Sequence, residues 1–110
     1  MPDETIWVSV GSPPAAEGVY AVTAGTLRLA LYQVGNSLFC TDNVCTHAFA
    51  LLSDGWLEGY IIECPLHAGQ FDIRTGCGIG PPIDKPIRTY AVRVGGDQVE
   101  VAIPILRGPG

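Results

Sequence analysis

The sequence predicts an all-β fold, a small antiparallel β-sandwich or barrel with a loop-rich segment inserted into it. Three observations carry that prediction. Apolar residues recur with a period of two near both ends of the chain, Gly- and Asn-containing groups punctuate those runs, and no segment sustains a helical period. Thr5-Ile6-Trp7-Val8-Ser9-Val10 places Ile6, Val8 and Val10 on one face of a first strand, which Gly11-Ser12-Pro13-Pro14 ends. Thr26 to Val34 puts Leu27, Leu29 and Leu31 on one side of a longer strand. It meets Leu38 to Thr41 across the turn-forming group Gly35-Asn36-Ser37, so the two make a hairpin. From about Asn43 to Pro86 the rhythm shortens to Trp56–Glu58, Ile61–Glu63 and Gln70–Ile73, separated by Gly55, Gly59 and Gly76. Thr89–Val94 and Gln98–Ile103 then flank Gly95-Gly96-Asp97 as a closing hairpin.

Composition bounds what such a chain can do. Its 110 residues allow one domain, 1–110, whose folding buries roughly two thirds of the surface an unfolded chain exposes. Six basic against 11 acidic residues leave a net charge of −5, which argues against nucleic acid as a partner, since phosphate neutralisation needs clustered Lys and Arg. The longest uncharged stretch, Leu29 to Thr41, contains Gln33, Asn36 and Ser37 and falls short of the roughly 18–20 apolar residues of a membrane span. Met1-Pro2-Asp3-Glu4 is acidic where a secretory signal is basic, so the expected location is cytoplasmic. In a reducing compartment, four Cys with two His nearby favour metal or redox chemistry over disulfides.

Both His and three of the four Cys fall in the insert. Cys45-Thr46-His47 is followed, after 16 residues, by Cys64-Pro65-Leu66-His67. Two loops that each carry one Cys and one His can bring two thiolates and two imidazoles to one centre. A structural Cys2His2 zinc site is the alternative, but zinc fingers pair Cys with Cys and His with His along the chain. One of each per loop suits two metal atoms side by side with unlike ligand pairs, as in a [2Fe–2S] cluster held by two Cys and two His.

These residues resemble the Rieske [2Fe–2S] pattern. Thr41-Asp42-Asn43-Val44-Cys45-Thr46-His47, Ser53-Asp54-Gly55-Trp56-Leu57-Glu58-Gly59 and Glu63-Cys64-Pro65-Leu66-His67-Ala68-Gly69-Gln70-Phe71-Asp72 resemble the soluble Rieske-type ferredoxins of bacterial aromatic-ring dioxygenase systems, and the likeness extends over nearly the whole chain. The resemblance implies one cluster per chain in a binding subdomain over about 43–86, with Cys45 and Cys64 on one iron and His47 and His67 on the other. It implies a monomeric carrier that takes single electrons from an NAD(P)H-dependent flavin ferredoxin reductase and passes them to a terminal ring-hydroxylating oxygenase. With neutral His, two ferric ions, two sulfides and two thiolates sum to zero charge, and reduction takes the centre only to −1.

The resemblance also assigns neighbours. High-potential Rieske proteins carry an inter-loop disulfide and hydroxyl donors to sulfur; here Ala50 and Leu66 stand at the disulfide positions and Gly69 and Phe71 at the hydroxyl positions, implying a low potential. Gly80-Pro81-Pro82 resembles a proline lid over the cluster. Phe49, Leu51, Leu52 and Trp56 could form an apolar docking rim, with Trp56 equally suited to the core. Glu17, Asp42, Asp54, Glu58, Glu63 and Asp72 read as a solvated face that could steer the chain onto basic partners. Cys40 reads as a small strand residue and Cys77 as a turn residue.

A catalytic role is not expected. Both His are already committed to the cluster, leaving none for a mononuclear iron or a nucleophile's base, and no Gly-x-Gly-x-x-Gly follows a strand. The runner-up is a Rieske-like small subunit of a reductase such as nitrite reductase; a zinc-stabilised interaction module is third.

Overall fold

A computed structural model describes residues 4–46, 50–66, 68–80 and 85–105. Eleven strands follow in order: β1 Thr5–Gly11, β2 Gly18–Ala24, β3 Leu27–Val34, β4 Ser37–Asp42, β5 Trp56–Glu58, β6 Ile61–Glu63, β7 Gln70–Asp72, β8 Gly78–Ile79, β9 Thr89–Tyr90, β10 Val92–Gly95 and β11 Gln98–Pro104. A 3₁₀ turn, Leu52–Asp54, precedes β5. The strands form three antiparallel sheets of order β1-β11-β10, β2-β3-β4-β9 and β5-β6-β7-β8. The all-β expectation holds.

Strand β3 explains how the sheets stack. Leu27, Leu29 and Leu31 face a core shared with Cys40, Val99, Val101 and Ile103, as the alternation predicts. The intervening Ala30 and Tyr32 are also fully buried, facing a second core with Leu52, Ile62, Phe71, Ile73 and Ile87. The strand is therefore covered on both faces, which period-2 reasoning alone does not reveal. The Tyr32 hydroxyl and Thr41 Oγ1 lie 2.8 Å apart inside this packing, so the buried phenol has its partner.

The two expected hairpins form with two-residue turns. Val34 pairs with Ser37 around Gly35-Asn36, where Gly35 takes a φ of +59°, and Gly95 pairs with Gln98 around Gly96-Asp97. Three expectations need correction. β2 was not foreseen, although it pairs with β3 along its whole length. Thr89–Val94 is not one strand: Thr89 and Tyr90 pair with β4, and after Ala91 the chain joins β11 in another sheet. Ile6 is exposed, while Val8 and Val10 pack on the core as expected. In the insert, the short strands β5, β6 and β7 form as expected and β8 joins their sheet.

Candidate metal centre

The first Cys-containing loop leaves β4 and is clamped by Asn43, itself almost fully buried. The Asn43 backbone N–H donates to the Arg28 carbonyl at 3.0 Å and its carbonyl accepts from the Leu52 N–H at 2.7 Å. Its side chain donates to Ser53 Oγ at 2.9 Å and accepts from the Ser53 N–H at 2.8 Å. The second loop connects β6 to β7. The two loops are closed by the same bond: Cys45 N–H donates to the Ala50 carbonyl at 2.9 Å and Cys64 N–H to the Gly69 carbonyl at 2.7 Å, each five residues on. Thr46 Oγ1 also donates to the Lys85 carbonyl at 3.2 Å, tying the first loop to the segment that precedes β9.

Both loops deliver a thiol to one apolar cluster. Cys45 and Cys64 are buried, at 4% and 0% exposure, beside Leu52, Ile62 and Phe71, and lie within hydrogen-bonding reach of each other. Burial pushes the Cys64 thiol up to about 11. The Leu66 N–H, donating to it, acts in the opposite direction, and the neighbouring Cys45 raises it further. The buried Cys64 thiol resists ionising, and a cationic metal centre held there would offset that resistance by supplying the opposite charge. The donor chemistry therefore fits a thiolate-ligated metal cluster. His47 and His67 lie outside the described residues. Among the described residues no three His, Cys, Asp or Glu side chains meet at one point.

The surroundings agree in part with the sequence reading. Trp56 is 61% exposed, which removes it from the core. Leu52 is fully buried and belongs to the core instead of the rim, because the 3₁₀ turn points it under the first loop; Leu51 is half-buried. Val44, directly before Cys45, and Leu66, two residues after Cys64, are exposed apolar side chains that sequence reasoning did not single out for the rim. Phe49, Pro81 and Pro82 lie outside the described residues. Of the acidic residues, Asp42 is not simply solvated: it accepts from the Tyr90 hydroxyl at 2.5 Å, and Glu17 accepts from the Gly35 N–H. Cys40 sits buried on β4 in the core remote from Phe71, Cys77 is exposed in the turn before β8, and both are free thiols.

Phe71 bears on the potential. It is fully buried in the same apolar cluster as both thiols, with no hydroxyl of its own to offer sulfur. A hydroxyl placed there that donates to cluster or cysteinyl sulfur would stabilise the extra electron of the reduced state. Phe71→Tyr should therefore raise the reduction potential by tens of millivolts, since 1 kcal/mol of differential stabilisation is about 43 mV for one electron when a tenfold change is 59 mV. Voltammetry of the variant checks this; an unchanged potential with the cluster intact would assign control to exposure or net charge.

Comparison with known proteins agrees with this geometry. The sequence pattern that defines the Rieske [2Fe-2S] domain matches residues 7–91. The ferredoxin component of a naphthalene 1,2-dioxygenase system from Pseudomonas aeruginosa is 47% identical over 83 residues, covering 76% of this chain and 80% of that protein. Among solved structures, a ferredoxin of Sphingomonas yanoikuyae B1 superposes with a TM-score of 0.80 at 37% identity, covering 92% of this chain and all of that one. A chain from a complex of reduced oxygenase and oxidised ferredoxin in carbazole 1,9a-dioxygenase superposes with a TM-score of 0.83 at 34% identity, covering 94% and 100%. A nitrite reductase small subunit from Mycobacterium tuberculosis, 18% identical with a TM-score of 0.77, shares the fold.

Proposed function

This chain belongs to the Rieske [2Fe-2S] domain family, and on that premise we propose that Cys45 and Cys64 hold one iron of its cluster and His47 and His67 the other, within a binding subdomain of about 43–86 in a single domain of 1–110. The protein is an electron carrier, the ferredoxin component of an aromatic-ring dioxygenase system and not its catalytic subunit. The convergence of Cys45 and Cys64 in one buried cluster, on loops closed by matching bonds, is the observation that supports the ligand assignment most directly. When bound, the cluster supplies a one-electron couple. The chain's own part is to keep both thiols away from water, to donate the Leu66 N–H to Cys64 Sγ, and to present Val44 and Leu66 where a partner can approach.

The donor is a flavin reductase fed by NAD(P)H, the acceptor is a terminal ring-hydroxylating oxygenase, and the carrier works as a cytoplasmic monomer; among the described residues no helix is long and apolar enough to cross a membrane. Mixing the holoprotein with the reductase and oxygenase of a naphthalene dioxygenase system, omitting their own ferredoxin, tests the role. Substrate oxidation driven by NADH should require this chain, and absence of electron flow through the holoprotein would contradict it. The rates should also depend on salt. The net charge of −5 becomes −6 on uptake of one electron without a proton, and exposed charges are screened beyond about 8 Å at physiological ionic strength. Second-order rate constants should thus fall severalfold between low and high salt; a flat profile would leave apolar contact at Val44 and Leu66 as the sole docking force.

A further inference from the structure

The chain builds the same three-part arrangement twice. Arg93 lies over the Trp7 ring, 4.1 Å from its centre, with Nε held by Glu100 at 2.7 Å. Arg74 lies over the Tyr60 ring at 4.4 Å with its guanidinium forked onto both Asp72 oxygens at 3.0 and 2.8 Å. In each, an aromatic face and a carboxylate enclose one guanidinium, a geometry that suits its planar charge.

A third aromatic face with carboxylates lacks the cation among the described residues. On the outer face of the β5-β6-β7-β8 sheet, Trp56 stands opposite Glu63, which stands opposite Gln70, while Glu58 on the same side of β5 stands opposite Ile61. These five residues line a groove of about 480 Å³. Glu63 accepts from Gln70 Nε2 at 3.0 Å, which orients its carboxylate without neutralising it. The ion pairs formed among the described residues are Arg74–Asp72 and Arg93–Glu100, so neither Glu58 nor Glu63 has a cationic partner there. Trp56, at 61% exposure, keeps its ring in water.

We propose that this groove is a docking site for a protein partner that inserts a basic side chain, an arginine in preference to a lysine, against the Trp56 ring and between Glu58 and Glu63. The assignment rests on the electron-carrier reading and adds to it the place and chemistry of one contact. Glu63 directly precedes Cys64, so a partner captured here lies against the second thiol loop. Charge complementarity and the chain's own two completed examples define the occupant.

The test uses the holoprotein reduced with dithionite and ferric cytochrome c as a lysine-rich one-electron acceptor. Second-order rate constants are measured at low and high salt for the parent, Trp56→Leu, Glu58→Gln and Asp97→Asn, the last removing equal charge from the β10–β11 turn of another sheet. Trp56→Leu keeps apolar bulk but removes the ring face. The expected result is a three- to tenfold loss at low salt in Trp56→Leu and Glu58→Gln, less than about 1.5-fold in Asp97→Asn, convergence of Glu58→Gln with the parent at high salt, and unchanged potentials throughout. A hexa-arginine peptide should compete with cytochrome c for the parent at lower concentration than a hexa-lysine peptide does, and this advantage should be lost in Trp56→Leu. Equal losses in Glu58→Gln and Asp97→Asn would reduce the effect to whole-molecule charge, and a parent-like rate in Trp56→Leu would remove the ring from the contact; either overturns the proposal. A parent protein that takes no electron from dithionite would instead overturn the carrier reading.

Discussion

The His67→Ala variant should come out of purification with iron near zero and no signal on reduction, as should His47→Ala, while Cys40→Ser and Cys77→Ser should match the parent. Alanine offers no donor atom, and a cluster short of one ligand leaves an iron that water or thiol must complete. Loss is therefore expected to be close to total, with lower solubility because binding free energy and folding free energy are shared in metal sites. The spare thiols differ for opposite reasons. Cys40 is buried against Leu29 and Val101, and burial, followed by the nearby Asp42 charge, pushes its thiol up to about 12, so it remains a neutral packing group. Cys77 is exposed in a turn whose backbone N–H is held by Thr75 Oγ1 at 3.2 Å, independent of its own sulfur. Iron and sulfide analysis of the four variants checks the set. A normal reduced spectrum in His67→Ala would break the ligand assignment.

Gly55→Ala should be severely damaging beside the second thiol loop. A Cβ at Gly55 would sit 2.0 Å from the Glu63 carbonyl oxygen and 3.2 Å from that of Leu52. The first is backbone, one residue before Cys64, so relief requires moving β6 or the 3₁₀ turn and with either the entry to the second thiol loop. Overpacking that forces backbone shifts costs about 1–3 kcal/mol, and a contact this close belongs at or above the top of that range. Gly59→Ala supplies the contrast. Gly59 takes a φ of +59° in the β5–β6 turn with open space around it, so its cost is the left-handed conformation alone, roughly 1 kcal/mol. Gly55→Ala should have a much lower urea midpoint and a faster cluster loss than Gly59→Ala. Similar midpoints for the two variants would contradict the close approach.

Much of this was legible in the residues. The hairpins followed from Gly35-Asn36 and Gly96-Asp97 because tight turns demand those types at those positions, and the Cys/His pairs stood out because their spacing has few other uses. What escaped depended on distant parts of the chain. β2 follows two prolines and alternates weakly, so its pairing with β3 is a tertiary fact; Val19, Tyr20 and Val22 before Gly25 were the available signal. The break at Ala91 arises because β4 captures Thr89 and Tyr90 before β11 can. Trp56 could not be placed because a three-residue strand does not reveal which face is covered, although Glu58 at the same parity pointed outward. The motif residues around Gly55 were visible, but the reason for a glycine there is a carbonyl eight residues away.

Electron transfer on a cluster held by two Cys and two His leaves a spectroscopic signature. An EPR spectrum of the purified holoprotein before and after dithionite, with nitrogen hyperfine coupling resolved by electron–nuclear double resonance, tests it most directly. The oxidised protein should be silent, take up one electron per chain and then show a signal coupled to two imidazole nitrogens, absent from His47→Ala and His67→Ala. A colourless protein with one zinc, or a reduced signal without nitrogen coupling, would contradict it.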